Sequence, residues 1–295
     1  MLEYAERHSI HFDLQRARFH FRALSSLYFP PGKAGNVLRG AFGTLLRQQS
    51  CPPACLDART CEMRASCTYA RVFEPQAAIP GPSGLRDWPR PFVFRAALLQ
   101  GTIPAGAEFH FDIHLFDLRP ALLRDVTLAF SQLLREGVGP GRGKADLLGV
   151  EPSMVRLSLH PDPVAVPRCQ VRFVTPTELK GAAQPEFGAL FARMRDRLST
   201  LRALYGPGPL ELDFRAMGAR AELVKMTRCD IRGVDLDRRS SKTSQVHGIG
   251  GWVGLAEYEG ALSEFLPYLR ASQWTGVGRH TVWGNGEIEV AGAKE

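Results

Sequence analysis

The sequence G-V-G-P-G-R-G occupies residues 137–143, and G-V-G-R-H-T-V-W-G-N-G occupies residues 276–286. Each glycine-rich segment follows a stretch with helical spacing of apolar residues and precedes a short strand-like stretch. The two segments therefore stand at corresponding places in the two halves of the chain. This correspondence indicates that one structural unit occurs twice, and the remaining elements can be assigned around it.

The first half shows the order β-α-β-β-α-β around its glycine-rich segment. Apolar residues alternate with polar ones in the strand-like stretches, whereas they recur every three or four residues in the helical ones. The predicted elements are a strand at 16–24, a helix at 35–49, strands at 92–99 and 107–116, a helix at 121–135 and a strand at 147–159.

The second half repeats this order. Its predicted elements are a strand at 171–174, a helix at 186–205, strands at 221–236 and 249–258, a helix at 260–271 and a strand at 287–290. The order β-α-β-β-α-β is that of a ferredoxin-like domain. The predicted fold class is therefore α+β, with tandem ferredoxin-like domains at 1–160 and 168–295 joined by a proline-rich stretch.

Composition excludes several classes of protein. The chain has 295 residues with 44% hydrophobic and 23% charged residues, so it is neither disordered nor collagen-like. No run of 18 apolar residues predicts a membrane helix, and residues 1–6 do not resemble a secretory signal, so we expect a cytoplasmic protein with no membrane partner. The 37 Lys and Arg residues against 30 Asp and Glu give a formal charge of +7, a modest indication of a polyanionic partner.

Four of the six cysteines lie within one stretch with the spacing C-x3-C-x5-C-x5-C. In a reducing compartment, four thiols close in sequence favour one soft metal ion over two disulfides. The spacing predicts a structural site for zinc, with an iron–sulfur centre less favoured and unligated thiols as the alternative. A site closed by four thiolates leaves no open position for catalysis. The stretch forms a Cys-rich insertion (about residues 50–91) in the first domain, and its ligands would be Cys51, Cys55, Cys61 and Cys67.

Basic residues concentrate in the two glycine-rich segments and in the stretch 228–247. Glycine segments with cations can present backbone N–H groups and positive charge to phosphates, although tight turns and a polar hairpin tip are the simpler interpretations. Neither segment fits a nucleotide-binding loop. The cations involved are Arg142, Lys144, Arg279, Arg228, Arg238, Arg239 and Lys242.

Several longer motifs resemble a known family when they are taken together. They are F-x-F-x-A-L-S-S-L-Y-F-P-P-G-K at 19–33, N-V-L-R-G-A-F-G at 36–43, R-R-S-S-K ahead of G-G-W-V-G-L-A-E-Y-E-G at 250–260, and the final glycine-rich segment. In these motifs the chain resembles the CRISPR repeat-RNA processing endoribonucleases of the RAMP superfamily. Members of that superfamily carry two RRM-like, ferredoxin-like domains in tandem.

The resemblance implies an endoribonuclease that cleaves CRISPR repeat RNA into mature guide RNAs without a metal or other cofactor for catalysis. The 2′-hydroxyl attacks the adjacent phosphate and leaves a 2′,3′-cyclic phosphate and a 5′-hydroxyl. This chemistry needs a base, an acid and cations around the phosphorane. The implied partners are repeat RNA, processed crRNA and other Cas subunits of an interference complex.

The sequence departs from the family at one position of the site. Many members have a His in or just after the first helix, where this chain has Thr44. His280 is therefore the first candidate for acid–base work and His247 the second, since imidazole titrates near neutral pH. Lys242 is a candidate cation at the cleavage site, and Tyr28 a candidate proton donor or stacking group. The remaining predicted RNA-binding residues are Lys33 and Arg39, and we expect His20, His110 and His114 on the surface.

Two other hypotheses stay open at the level of sequence. The first is a non-catalytic RAMP subunit that holds the crRNA handle in an interference complex, which the missing first-helix His favours. The second is an unrelated metal-stabilised interaction protein with a basic surface. Cleavage in EDTA distinguishes the enzyme from the non-catalytic subunit. A steep salt dependence of RNA binding distinguishes both of these from the unrelated interaction protein.

Overall fold

A computed structural model of the chain describes residues 10–58, 60–75, 88–239 and 246–291. Its contacts divide the chain into two compact units. The N-terminal unit comprises Leu14–Met154 and Val282–Gly284, and the C-terminal unit comprises Met1–Asp13, Val155–Thr281 and Asn285–Glu295. Among the described residues, no helix is both long and apolar enough to cross a membrane.

The N-terminal unit contains six strands and four helices within the described residues. The strands are β1 (His11–Ala23), β2 (Leu27–Phe29), β3 (Phe92–Arg95), β4 (Gly101–Ile103), β5 (Glu108–Leu115) and β6 (Ala145–Ser158). The helices are α1 (Ala34–Ser50), α2 (Thr68–Val72), α3 (Pro120–Ser131) and α4 (Leu133–Glu136), with one 3₁₀ turn at Glu62–Ala65.

The main sheet of this unit has the strand order β3-β5-β1-β6, and β2 pairs with β4 in a separate two-stranded sheet. With the small β2–β4 pair set aside, the chain visits this sheet in the order strand, helix, two strands, helix, strand. That path is ferredoxin-like, because the first and third strands lie in the centre of the sheet.

Aromatic residues form the core between this sheet and its helices. Phe19 and Phe21 of β1 alternate with charged residues, so both rings point to the same buried face. Phe42 of α1 stacks on Phe130 of α3 with ring centroids 5.5 Å apart, and the Phe130 ring lies 5.2 Å from Phe19. The apolar residues that alternate along β1 and those that recur every three or four residues along α1 therefore pack into one cluster.

The C-terminal unit contains six strands and three helices within the described residues. The strands are β7 (Arg168–Thr177), β8 (Lys225–Val234), β9 (Asp237–Arg239), β10 (Val246–Gly248), β11 (Gly251–Glu259) and β12 (Ile288–Ala291). The helices are α5 (Phe187–Tyr205), α6 (Phe214–Ala221) and α7 (Leu266–Thr275). A 3₁₀ turn at Thr281–Trp283 follows α7, and its last two residues belong to the N-terminal unit.

The sheet of the C-terminal unit has the strand order β12-β7-β11-β8. This is the same arrangement as in the N-terminal unit, again with the first and third strands of the unit in the centre. Strands β9 and β10 form a separate antiparallel ribbon between β8 and β11. The prediction of two tandem ferredoxin-like domains in an α+β fold is confirmed.

The structure corrects several predicted elements. The predicted helix at 121–135 is two helices, because Gln132 separates α3 from α4. The stretch predicted as a strand from residue 221 begins instead with the end of α6, whose first turn is capped by the Asp213 carboxylate. Helix α7 begins at Leu266 rather than near residue 260.

One predicted surface residue is buried. His114 is 5% exposed, whereas we expected it on the polar face of its strand. Strand β5 is flanked there on both sides, by Arg16 of β1 and Val93 of β3, so the end of the strand is enclosed. His20 and His110 face each other across β1 and β5, with ring centroids 5.8 Å apart.

Candidate functional site

The second glycine-rich segment, residues 276–286, forms a tight loop between α7 and β12. Gly276 ends α7 with a φ of 73°, and Gly278 has a φ of 79°. A Cβ atom on Gly278 would lie only 2.3 Å from the carbonyl oxygen of Glu178, so glycine is required there by both conformation and space. Val277 between them is fully buried. The glycines therefore allow the backbone of this loop to pack closely against the backbone at the end of β7.

Glu178 holds this loop with its backbone and its side chain. Its carbonyl oxygen accepts a hydrogen bond of 3.0 Å from the backbone N–H of Arg279. Its carboxylate accepts a second one of 2.6 Å from the Arg279 guanidinium, and its other oxygen lies 3.4 Å from Nε2 of His280. One carboxylate thus orients both polar residues of the loop.

His280 has an unusual backbone and a perturbed side chain. Its φ is 64°, a left-handed conformation that a residue other than glycine adopts at a cost of about 1–2 kcal/mol. Its side chain is 15% exposed. Burial lowers the pKa of His280 below its ordinary value of 6.5, and the charges of Arg279 and Arg238 lower it further, while Glu178 opposes them. The imidazole is therefore largely neutral at pH 7.

The ribbon of β9 and β10 carries two further predicted residues, Arg238 and His247. His247 stands directly opposite Arg238 in the antiparallel register. Burial lowers the pKa of Arg238, whose charge in turn acts on His280. Glu178 therefore contacts both Arg279 and His280, and Arg238 acts on His280 through its charge.

Other predicted residues of this unit stand apart or are not described. Arg228 lies on β8, where its guanidinium is paired with Asp230 at 2.5 Å and with Glu257 at 3.5 Å. Lys242 lies outside the described residues, and so does the side chain of Arg239, although its backbone pairs with Val246. The roles predicted for these three residues stay predictions.

The first glycine-rich segment has the same construction in the N-terminal unit. Gly137 ends α4 with a φ of 71°, and a Cβ atom on Gly139 would lie 2.7 Å from the carbonyl oxygen of Tyr28. Arg142 has a φ of 47°. In the part of the chain that the structure describes, Arg142 and His280 are the two residues other than glycine with positive φ. Each glycine-rich loop therefore carries one left-handed polar residue.

The predicted RNA-binding residues of the N-terminal unit lie around this first loop. The Tyr28 side chain is exposed on β2, and the backbone N–H of Lys144 donates to the Ser25 hydroxyl at 2.9 Å. Lys33 immediately precedes α1, and the guanidinium of Arg142 donates to the carbonyl oxygen and carboxylate of Glu136. Tyr28, Lys144 and the loop backbone thus form one exposed polar surface.

Arg39 does not fit its predicted role. Its side chain is only 9% exposed, and its guanidinium carbon lies 4.7 Å from the centre of the Phe73 ring and 5.7 Å from that of Trp283. A guanidinium between two aromatic rings contributes to packing through cation–π contacts. This placement corrects the expectation that Arg39 offers its charge to RNA.

The four clustered cysteines lie near one another in the segment between α1 and α2. The Sγ atoms of Cys51 and Cys67 are 3.9 Å apart, and the backbone N–H of Cys55 donates to the carbonyl oxygen of Pro52 at 2.9 Å. No disulfide links any of them. In residues 10–58, 60–75, 88–239 and 246–291, no three or more His, Cys, Asp or Glu side chains are already arranged to hold a metal ion.

Glu178 is the site residue that sequence reasoning missed. As a single acidic residue after a strand it carries no motif. A comparison of the two halves could have found it. Gly278 packs closely against the carbonyl oxygen of Glu178, just as Gly139 packs against the carbonyl oxygen of Tyr28 in the first half. The signal lies in the repeat and not in the residue itself.

Two family models match the chain and together span most of it. Residues 12–165 match the N-terminal domain model AF_1859_N, and residues 171–288 match the model of the CRISPR-associated endoribonuclease Cas6. No curated protein is similar enough in sequence to count as a match. The boundary between the two matches falls in the proline-rich stretch, and each match contains one glycine-rich loop.

Solved structures of Cas6 proteins share this fold. The Cas6 protein TTHB231 of Thermus thermophilus, in a product complex, superposes with a TM-score of 0.56 at 17% identity over 93% of this chain and 98% of that one. The product complex of Cas6 TTHA0078 gives 0.53 at 18% identity over 95% and 99%. A partial Cas6-RT-Cas1–Cas2 complex gives 0.55 at 11% identity over 96% of this chain and 46% of that one. By these matches the chain belongs to the proteins with an AF_1859_N N-terminal domain, which covers just over half of it, and the domain that follows matches the CRISPR-associated endoribonuclease Cas6 family and has the fold of solved Cas6 structures.

Proposed function

We propose that this protein cleaves CRISPR repeat RNA without a metal ion, by attack of a 2′-hydroxyl on the adjacent phosphate. The observation that carries the proposal is the arrangement of His280, which stands in a constrained loop beside Arg279 and within the influence of Arg238. A neutral imidazole next to the Arg279 guanidinium and within the field of Arg238 matches the needs of this reaction, since it offers a base beside positive charge.

The chemical steps follow from these groups. The neutral His280 imidazole takes the proton of the 2′-hydroxyl while its oxygen forms a bond to phosphorus. The guanidinium groups of Arg279 and Arg238 stabilise the charge of the phosphorane. The bond to the 5′-oxygen then breaks, and a second group returns a proton to that oxygen. His247, opposite Arg238 on the ribbon, is our candidate for this acid. The products are a 2′,3′-cyclic phosphate and a 5′-hydroxyl.

The cognate repeat RNA provides the direct test of this function. We expect the purified protein to cut the repeat at one position in excess EDTA, with the same rate after Mg²⁺ is added. The 5′ product should resist 3′-end ligation until its cyclic phosphate is opened and the resulting phosphate is removed, and the 5′-hydroxyl of the 3′ product should accept phosphate from ATP with a polynucleotide kinase. Tight binding without any cleavage under both conditions would contradict the proposal.

A second candidate function has its own support in helix α1. Thr44, at the place where many members of the family carry a His, donates its hydroxyl to the carbonyl oxygen of Gly40 at 3.2 Å. Unlike the imidazole of a His, the Thr44 hydroxyl does not titrate near neutral pH. The alternative is a subunit that holds processed crRNA without cutting it, which binding without cleavage would support.

The proposal includes the partners and the place of action. We propose that the protein binds repeat RNA and crRNA in the cytoplasm, and that it associates with other Cas proteins. A solved complex that joins Cas6 to a reverse transcriptase, Cas1 and Cas2 has this fold in its Cas6 part and supports the second of these points. The residues that we propose as RNA contacts are Tyr28, Lys33, Arg142, Lys144, Arg238 and Arg279, while Arg228, Arg239 and Lys242 stay as predicted.

The cleavage rate should depend on pH through His280. Because burial and Arg279 lower its pKa, the rate should rise with pH to a plateau, and the inflection of this rise should lie below pH 6.5. Glu178→Gln removes the carboxylate that raises this pKa, so we expect the inflection to move to lower pH. Single-turnover rates between pH 5 and 8 measure both curves.

Glu259→Gln is the matched control for this pH profile, because Glu259 pairs with Arg168 and is not among the groups that act on His280. Its inflection should coincide with that of the unaltered protein. An inflection of Glu178→Gln at higher pH would show that the titrating group is not His280.

Arg238→Ala should weaken RNA binding and flatten its dependence on salt. If Arg238 contacts one phosphate, its removal should reduce the slope of log K against log salt by about one. Filter binding at several salt concentrations measures this slope. Arg168→Ala serves as the control, because Arg168 is exposed but paired with Glu259, and its slope should equal that of the unaltered protein. Equal slopes for both variants would remove Arg238 from the RNA contacts.

A further inference from the structure

The segment that joins α1 to α2, residues 51–67, has little to hold it in place. Of its described residues only Ala58 is buried, while Leu56 is 88% and Met63 is 58% exposed. Its one regular element is the 3₁₀ turn Glu62–Ala65. Such a segment buries too little apolar surface to define a conformation, and short segments of this kind are commonly fixed by a cross-link or a metal ion.

Two of its four cysteines are fixed by the helices at its ends. Cys51 terminates α1, where its N–H donates to the carbonyl oxygen of Arg47, and Cys67 immediately precedes α2. Both side chains contact the hydrophobic core of the N-terminal unit. Their Sγ atoms are 3.9 Å apart. Two sulfur ligands of a tetrahedral zinc ion, each at about 2.3 Å from it, stand about 3.8 Å apart.

The other two cysteines lie in the same short segment between Cys51 and Cys67. The backbone N–H of Cys55 donates to the carbonyl oxygen of Pro52, and the carbonyl oxygen of Cys61 accepts from the backbone N–H of Arg64, so each lies in its own turn between Cys51 and Cys67. All four are partly exposed and unlinked. Ala58 is the one buried residue described between Cys55 and Cys61, so a movement of these two cysteines toward the Cys51–Cys67 pair displaces little buried surface.

Two arginines hold the backbone of this segment with their guanidinium groups. The guanidinium of Arg47 donates to the carbonyl oxygens of Cys55 and Leu56 at 3.1 and 3.0 Å. That of Arg64 donates to the carbonyl oxygen of Ala58 at 3.2 Å. A tetrathiolate zinc site carries a charge of about −2, which neighbouring cations and ordered backbone offset.

We propose that Cys51, Cys55, Cys61 and Cys67 bind one structural Zn²⁺ ion that fixes the segment between α1 and α2. The site is closed by four thiolates and takes no part in RNA cleavage. Cys51 and Cys67 provide the preformed half of the site, and binding of the ion recruits Cys55 and Cys61. The chemistry of the ligands favours zinc over harder cations such as Mg²⁺.

Metal analysis of the full-length protein tests this site without any activity measurement. We expect one zinc per chain as purified and a zinc content at least tenfold lower in Cys61→Ser. Cys229→Ser is the matched control, because Cys229 is a partly exposed free thiol on β8 outside the segment, and it should keep its zinc. A zinc content unchanged in Cys61→Ser would overturn the proposal.

A measurement on the unaltered protein guards against a variant that does not fold. Zinc-edge X-ray absorption should show four sulfur neighbours at about 2.3 Å, and stripping the ion should lower the melting temperature. Nitrogen or oxygen neighbours, a metal-free protein with unchanged melting temperature, or iron with labile sulfide would each overturn the proposal. Because these readouts do not involve RNA, they are independent of the proposed endoribonuclease activity.

Discussion

The variant His280→Asn should cleave repeat RNA at least about 100-fold more slowly than the unaltered protein, with little change in the Kd for RNA. Asparagine tolerates the left-handed conformation that residue 280 adopts, so the loop should keep its shape. The amide cannot take the proton of a 2′-hydroxyl. Single-turnover cleavage with saturating protein separates this chemical step from binding.

Comparison with two other variants sharpens this result. His280→Ala should be equally slow, and it should also be slightly less stable because alanine is strained at a φ of 64°. His247→Ala tests the second candidate on the ribbon opposite Arg238. If His280→Asn cleaves at the unaltered rate while His247→Ala does not, the role of the base passes to His247 and the assignment of His280 is wrong.

Gly278→Ala should disable the protein through the backbone. The added Cβ would meet the Glu178 carbonyl oxygen at 2.3 Å, in a residue whose φ of 79° is strained for any side chain. We expect a loss of about 2 kcal/mol or more in stability from the left-handed strain and the clash together. Displacement of Arg279 and His280 should also lower the cleavage rate by roughly 100-fold. Chemical denaturation and single-turnover cleavage measure the two effects.

Gly233→Ala is the matched control in the same unit. Gly233 lies on β8 without a left-handed φ, and a Cβ atom there would meet nothing within 4 Å. Its stability and cleavage rate should remain close to those of the unaltered protein. Equal behaviour of Gly278→Ala and Gly233→Ala would show that the contact with Glu178 does not hold the loop.

The fold was predictable because it depends on local periodicity repeated in two halves. The alternation in β1 and the helical spacing in α1 each identify a buried face without reference to distant residues. The break at Gln132 and the start of α6 were not predictable, since they depend on a helix end and on the Asp213 cap, which the apolar pattern does not record. The burial of His114 follows from the strands on either side of it, which one strand alone does not reveal.

The candidate site was predictable only in part. Glycines beside cations marked both loops, and His280 was found because few histidines were available. The contact of Glu178 with two loop residues arises from the end of β7 meeting a segment about 100 residues later in the chain, and only the fold brings them together. Arg39 was misassigned because its sequence motif does not show the two aromatic rings that enclose it.

The contacts of Glu178 with Arg279 and His280 affect how much conformational entropy the protein loses when it binds RNA. One residue bonds the backbone of Arg279, its guanidinium and the imidazole of His280. These groups would meet RNA already in position, so little conformational freedom of the protein would be lost in the encounter. Most of the conformational entropy lost on binding would then be lost by the RNA. A repeat that is already folded would therefore bind better than a flexible one of the same sequence.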